Sequence, residues 1–199
     1  MEYRAVSDVS ELPTYAFGSR VTMWWGTLAF CVLEGTGFAV GIAAYLYLAY
    51  LNPEWPLSAP HPDLFWSTAH TMLMIVSLLP NRLVQQAARR EDLIKVRLLL
   101  VVMVAIGIVL AGFRVMEIAA LHVRWDENAY GSILWMLLGL HTVHLVTDVV
   151  DTFVVAVLMF TRHAFGKRFS DVDDNAFYWD FVALSWLPIY LLLYWGPRL

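Results

Sequence analysis

One cysteine, Cys31, serves the whole 199-residue chain. Disulfides within the chain, thiolate zinc clusters and iron–sulfur ligation are thereby excluded. Basic residues are also few: 13 Lys and Arg stand against 17 Asp and Glu, a formal net charge of −4. That balance argues against nucleic acid as a partner. The first twenty residues lack a basic stretch followed by a short apolar run and carry Glu2, Asp8 and Glu11 instead. No cleavable signal peptide is read there. Charge of either sign is scarce, 15% of the chain against 60% hydrophobic. A soluble domain of this length needs more polar surface than that. The mean hydropathy of +0.62 points instead to helices surrounded by lipid.

What is present is a series of long apolar runs, without internal repeats or low-complexity stretches. The pattern predicts an all-α, polytopic membrane protein with five spans. They cover Val21–Leu51, Phe65 to about Val84, Arg97–Val123, Tyr130–Thr161 and Phe177–Trp195. Trp24 and Trp25 at one end of the first span, and Tyr45, Tyr47 and Tyr50 at the other, form an interfacial aromatic belt. Asn52-Pro53 stops that span, Pro80 is expected to kink the end of the second, and Asn81–Arg97 is polar and basic and is expected to extend helices beyond the membrane. Asp126-Glu127-Asn128 is a turn, and His163–Asp174 a polar loop. Residues 1–20 read as a cytoplasmic segment and 21–199 as one five-helix domain.

Orientation follows from the loops. Arg4 and Arg20 precede the first span, and Arg82, Arg89, Arg90, Lys95 and Arg97 lie between the second and third. Arg162, Lys167 and Arg168 lie between the fourth and fifth, whereas the opposite side has only Arg124 and Arg198. Ten against two puts the amino terminus in the cytoplasm and the carboxyl terminus outside.

The fourth span carries His141, His144, Asp148 and Asp151. At about 100° per residue these four fall within an arc of roughly 80°. A charged residue near mid-membrane costs about 2.5–3.5 kcal/mol, so this stripe must face protein, water or an ion. Glu34 lies about twelve residues into the first span, roughly 18 Å deep at 1.5 Å per residue. That depth matches His141 and His144, so a contact with one of them is expected. Arg114 and Glu117, three apart on one helix face, are expected to pair. His70 and Glu117 sit toward the outer side; Asp148, Asp151 and Asp180 sit toward the inner.

Three readings of these residues stay open. They form a buried hydrogen-bond network that fixes helix packing, or a proton pathway, or a metal site. The metal site would draw on Glu34, His70, Glu117, His141, His144, Asp148 and Asp151 to hold iron, manganese or zinc. No Glu-x-x-His pair of the di-iron bundle type is present. Gly35, Gly37 and Gly41 read as close-approach positions for another helix. His61 and His163 read as solvated, His122 as interfacial, and Trp179, Trp186 and Trp195 as belt and packing.

Four stretches together resemble subunit III of the haem–copper oxidases (cytochrome c oxidase and quinol oxidase). Trp25-Gly26, Phe30 and Glu34 are similar to its carboxylate-bearing helix, with Glu34 in the place of a carbodiimide-sensitive glutamate. Glu117 before Tyr130-Gly131-Ser132 matches the acid preceding a Tyr-Gly-Ser turn. Gly139-Leu140-His141-Thr142-Val143-His144 matches the Gly-x-His-x-x-His helix. Phe177-Tyr178-Trp179 through Tyr194-Trp195-Gly196 matches the carboxyl-terminal helix. The resemblance covers roughly residues 20–199, the last five helices of the seven-helix forms.

It implies an accessory subunit of a respiratory terminal oxidase in the bacterial inner membrane, with no haem or copper of its own. Such a subunit packs against oxidase subunit I and other oxidase subunits, binds phospholipid, and sustains proton uptake and turnover stability. The basic loop Arg82–Arg97 then meets the cytoplasmic surface and anionic lipid. The chain departs from the pattern in three acids. Asp180 follows Trp179 where the family has histidine, Asp148 replaces a small residue, and Asp151 is extra. These carboxylates motivate the alternative, a stand-alone intramembrane metalloprotein, possibly an oxidoreductase. A subunit III-like protein associated with nitric oxide reductase is a known divergent relative of that sort.

Overall fold

The computed structural model describes residues 15–57, 59–162 and 164–198. His163 and most of the 1–20 segment, Arg4 included, therefore lie outside the described residues. Five long helices account for the fold: α1 (Thr22–Leu51), α2 (Leu64–Arg89), α3 (Leu93–Ala119), α4 (Ala129–Phe160) and α5 (Lys167–Tyr190). A single 3-10 turn, Gly18–Arg20, precedes α1, and there is no strand among the described residues. After Pro188 the last helix widens into a π-helical stretch, Leu191–Trp195, and closes on a 3-10 turn at Gly196–Arg198.

Short polar side chains start three of the helices. Asp63 accepts from the Phe65 amide, Asp92 from Lys95 and Asn128 from Gly131, each satisfying one of the orphan donors of a first turn. Between α2 and α3 only Arg90, Glu91 and Asp92 make the reversal, with Glu91 in the left-handed region (φ 55°).

α2, α3, α4 and α5 close into a ring in which each packs on two neighbours; α1 lies outside it, across α4 and α5. Arg89 pairs with Asp173, and the Ser170 hydroxyl donates to the Ala16 carbonyl, so the start of α1, end of α2 and start of α5 share one end. At the opposite end the Trp55 indole donates to Tyr45 and Arg198 donates to the Pro62 carbonyl. Two apolar cores follow, one around Met74, Leu100, Met103 and Trp179 toward the basic end. The second gathers Phe38, Tyr45, Leu134, Leu137 and Trp186 toward the other. Gly41 is needed for α1 to seat, since a Cβ there would come within 2.7 Å of Leu137; Gly37, by contrast, faces open space.

Several expectations change. Four helices, α1, α3, α4 and the run Lys167–Arg198, are long and apolar enough to cross a membrane, and α2 is not. The reason is the polarity of its inward stripe: Ser67, His70, Thr71, Ser77 and Asn81 are all buried between α3 and α5. Hydropathy sums both faces and misses a helix whose polar side is the covered one. The helical extension expected after Pro80 is present, α2 continuing through it to Arg89. α3 stops at Ala119, before the expected Val123. The supposed loop up to Asp174 is mostly helix, because α5 begins at Lys167. Two of its acids have partners there: Asp171 pairs with Arg168 and Asp173 with Arg89. Of the tryptophans read as belt and packing, Trp179 and Trp186 are packing residues of the core, donating to Ser77 and Thr71, and Trp195 is exposed.

Candidate functional site

The interior polar residues divide into clusters with different neighbours. At the centre of the first is Arg114 of α3, 1% exposed. Its Nη1 donates to Glu117 Oε2 at 2.7 Å, one helical turn along. Its Nη2 lies 3.1 Å from His70 Nε2 of α2 and 3.0 Å from His141 Nδ1 of α4. The Tyr194 hydroxyl donates to the other Glu117 oxygen. The guanidinium carbon sits 4.0 Å from the Trp186 ring centroid, a cation–π contact in a desolvated place.

This geometry fixes both imidazoles. A guanidinium only donates, so His70 Nε2 and His141 Nδ1 must accept. Their remaining nitrogens face carbonyls, which also only accept: His70 Nδ1 lies 3.2 Å from Leu110 O and His141 Nε2 3.1 Å from Val182 O. Each ring is therefore a neutral imidazole of one tautomer, with no lone pair to spare. The node ties α2, α3, α4 and the segment after α5 together.

The second cluster joins α1 to α4 and α5. His144 Nε2 lies 3.1 Å from Glu34 Oε1, and the Tyr178 hydroxyl donates to Glu34 Oε2 at 2.8 Å. Between the two candidates for a Glu34 contact, the structure selects His144. The Nδ1 of His144 donates to the Leu140 carbonyl at 2.6 Å. That leaves Nε2 to face Glu34 Oε1 across a single hydrogen-bond position. Phe38 packs on the His144 ring, 4.9 Å between centroids.

A third cluster lies one turn nearer the basic end. Asn175 of α5 donates toward Asp148 Oδ1 (3.4 Å) and Asp151 Oδ2 (3.2 Å), while its own carbonyl accepts from Thr152. Asp148 Oδ2 and Asp174 Oδ2 are buried without a partner; such atoms are satisfied by water or by a proton. Asp180 stands apart, between Asn81 at 3.0 Å and Arg82 at 3.1 Å.

A half-open cavity of about 820 Å³ separates α1 from α4 and α5. Glu34, His144, Asp151, Asp174, Asn175 and Tyr178 supply much of its polar wall, with Thr27 and Thr147; apolar side chains of α1 and α4 line the opposite part, and Lys167 and the Arg168–Asp171 pair close its basic end.

The expected metal ligands do not gather. His70, Glu117 and His141 belong to the Arg114 node, Glu34 and His144 to the second cluster, Asp148 and Asp151 to the third. Among the described residues no three His, Cys, Asp or Glu side chains converge as a metal ion requires. Sequence reasoning missed Tyr178, Tyr194, Asn175 and Asn81. Asp171, Asp174, Asn175 and Tyr178 are spaced i, i+3, i+4, i+7, a helical stripe that was legible had α5 been started at Lys167.

A family model described as cytochrome c oxidase subunit III matches residues 82–197, more than half of the chain. The chain belongs to the cytochrome c oxidase subunit III family. Among similar proteins, cytochrome c oxidase subunit 3 of Thermostichus vulcanus is 26% identical over 172 residues, 85% of each chain. That of Synechocystis sp. is 24% identical over 174 residues, 85% of this chain and 74% of its own. That of Arabidopsis thaliana is 25% identical over 96 residues, 48% of this chain and 36% of its own. The resemblance read from the four motifs is thus confirmed, and with its apolar helices this subunit III family member is an integral membrane protein. Arg114, Glu117, His141, His144, Asp148, Asp151 and Asp180 all lie within the matched stretch, whereas Glu34 and His70 precede it.

Proposed function

We propose that this subunit III family member is a non-redox accessory subunit of a respiratory haem–copper terminal oxidase, packed beside the catalytic subunit I. In this role it stabilises the complex, holds phospholipid and sustains proton uptake during turnover. The observation that carries the reading is the Glu34–His144 pair on the wall of the 820 Å³ cavity. An acid and an imidazole facing each other beside a cavity that leads toward Asp151, Asp174 and the basic end are suited to taking up protons from that side. The apolar part of the same cavity suits an acyl chain. The occupied nitrogens of His70 and His141 favour this reading over a metalloenzyme.

The membrane placement belongs to the same proposal. α2 is a fifth span whose polar stripe is sheltered by α3 and α5. Arg20, Arg82, Arg89, Arg90, Lys95, Arg97, Arg162, Lys167 and Arg168 face the cytoplasm, and Arg198 the outside, in a bacterial inner membrane. Residues 1–20 form a cytoplasmic segment ahead of one five-helix domain.

The test is mild-detergent purification through this chain. A haem-bearing catalytic subunit is expected to copurify, and Glu34→Ala is expected to shorten the enzyme's active lifetime without changing the haem spectrum. Purification of the chain with no haem protein at all would end the reading. Transition metal at one equivalent per isolated chain would revive the metalloprotein.

A further inference from the structure

Most acids between the helices are matched by a base. Glu117 pairs with Arg114, Asp180 with Arg82, Asp173 with Arg89, Asp171 with Arg168 and Glu34 with His144. Asp148, Asp151 and Asp174 have no basic partner among the described residues. Asp148 and Asp151 meet across the Asn175 amide group, at 3.4 and 3.2 Å. That amide is neutral, and its carbonyl is occupied by Thr152. Asp148 is 1% exposed and its Oδ2 has no partner; Asp174 Oδ2 is likewise buried and unmatched. Asp151, Asp174 and Asn175 line the 820 Å³ cavity. Lys167 is the one base on that lining outside an ion pair among the described residues. A single ammonium cannot balance three carboxylates. Asp148 and Asp151 are also two of the acids by which the chain departs from the family's pattern, so no shared role of the family accounts for them.

We propose that Asp148 and Asp151 hold one sodium ion, admitted through the cavity. Carboxylates inside a membrane bundle are costly without a counter-charge, and the cavity gives a small cation access to these two. The available donors are oxygens, because both nitrogens of His144 are engaged, and carboxylate, carbonyl and water select hard cations over transition metals. Calcium asks for roughly six to eight oxygens, more than two carboxylates and an amide converge here. Magnesium gives up its water reluctantly, and Asp148 is too deeply buried to be met through a full hydration shell. Sodium sheds water more readily and completes its shell from the cavity. Asp174 adds negative charge on the same wall.

The experiment uses the full chain in mild detergent with radiolabelled sodium, choline chloride holding the ionic strength constant, and scintillation proximity reads the retained label. The wild-type chain is expected to hold one equivalent, displaced by unlabelled sodium and untouched by excess choline. Asp148→Ala, which returns the small residue of the family's pattern, should weaken retention about tenfold or more. Asp126→Asn at the other end should leave it intact. Sodium should also raise the unfolding midpoint of the wild type by a few degrees over choline and leave that of Asp148→Ala unmoved. Should Asp148→Ala fail to fold in choline, Asp151→Asn on the exposed wall takes its place. No retained sodium in the wild type, or undiminished retention in the folded variant, overturns the proposal. So does displacement by calcium or magnesium far below the sodium concentration, which would make the site divalent. The chain alone is tested, so the absence of a copurifying haem protein bears only on the partner proposed above.

Discussion

The Arg114 node and the Glu34 cluster use the same three residue types, one glutamate, histidine and one tyrosine, and behave as opposites. Around Arg114 the side chains are 1–2% exposed, and a permanent cation dictates every neighbouring hydrogen bond. Around Glu34 the pair is 10–14% exposed, borders a cavity and contains no permanent cation. Arginine keeps its proton under all ordinary conditions, so it locks His70 and His141 as neutral acceptors and takes Glu117 as its own counter-charge. Glu34 and His144 have no such cation between them and face a cavity instead. A fixed charge makes one polar cluster a closed structural joint, and its absence leaves the other open to the space beside it.

Arg114→Met should break that contrast most severely. It strands the Glu117 carboxylate in a dry interior, at a cost of about 3–5 kcal/mol. Thermal unfolding in detergent is expected to fall by roughly 10 °C, and an unchanged midpoint would remove the node from the account. Glu34→Ala comes next. It unties α1 from α4 and α5 and leaves His144 Nε2 and the Tyr178 hydroxyl unpaired, for about 1–3 kcal/mol. The drop should be a few degrees, with the ring of α2 to α5 keeping its helical signal.

A spectroscopic comparison sharpens the difference without unfolding anything. The infrared difference spectrum between wild type and Glu34→Gln is expected to contain a carboxyl stretch displaced by the two hydrogen-bond partners, His144 and Tyr178. No protonated carboxyl band should belong to Glu117, and one abolished by Glu117→Gln would erase the distinction drawn here. The smallest expected effect lies outside the membrane. Hydrogen bonds from the Lys95 side chain and amide hold Asp92 below the usual carboxylate range. A lowered acid stabilises above its unfolded pKa of about 4 and loses that contribution as pH falls through the folded value. Because Asp92 is exposed, Asp92→Asn should only slightly flatten the acid side of the stability profile. A steeper acid limb in the variant would contradict the cap.

Some of this was legible in residue order alone. Arg114 and Glu117 share one helix, so their spacing sufficed to predict the ion pair that the structure holds at 2.7 Å. Four of the expected spans correspond to helices long and apolar enough to cross, because lipid imposes a length and a composition that any window detects. α2 escaped the same window, since its burial is supplied by neighbours. The start of α5 was misread because Asp171, Asp173 and Asp174 look like loop residues until Arg168 and Arg89 are placed beside them.

What residue order determined by itself was therefore local: the extents of α1 and α4, the pairing within α3, the concentration of cations at one end, and family membership through motifs read in series. Only the tertiary structure decided that His141 turns to Arg114 while His144, three residues on, turns to Glu34. It also decided that Tyr178, Tyr194 and Asn175 complete the clusters, and that the seven candidate metal ligands are divided among three of them. The physical reason is one of range. Helical periodicity fixes the angle between side chains on one rod, whereas the partner across a 10 Å gap depends on how the rods are rotated and stacked, which no spacing within a helix encodes.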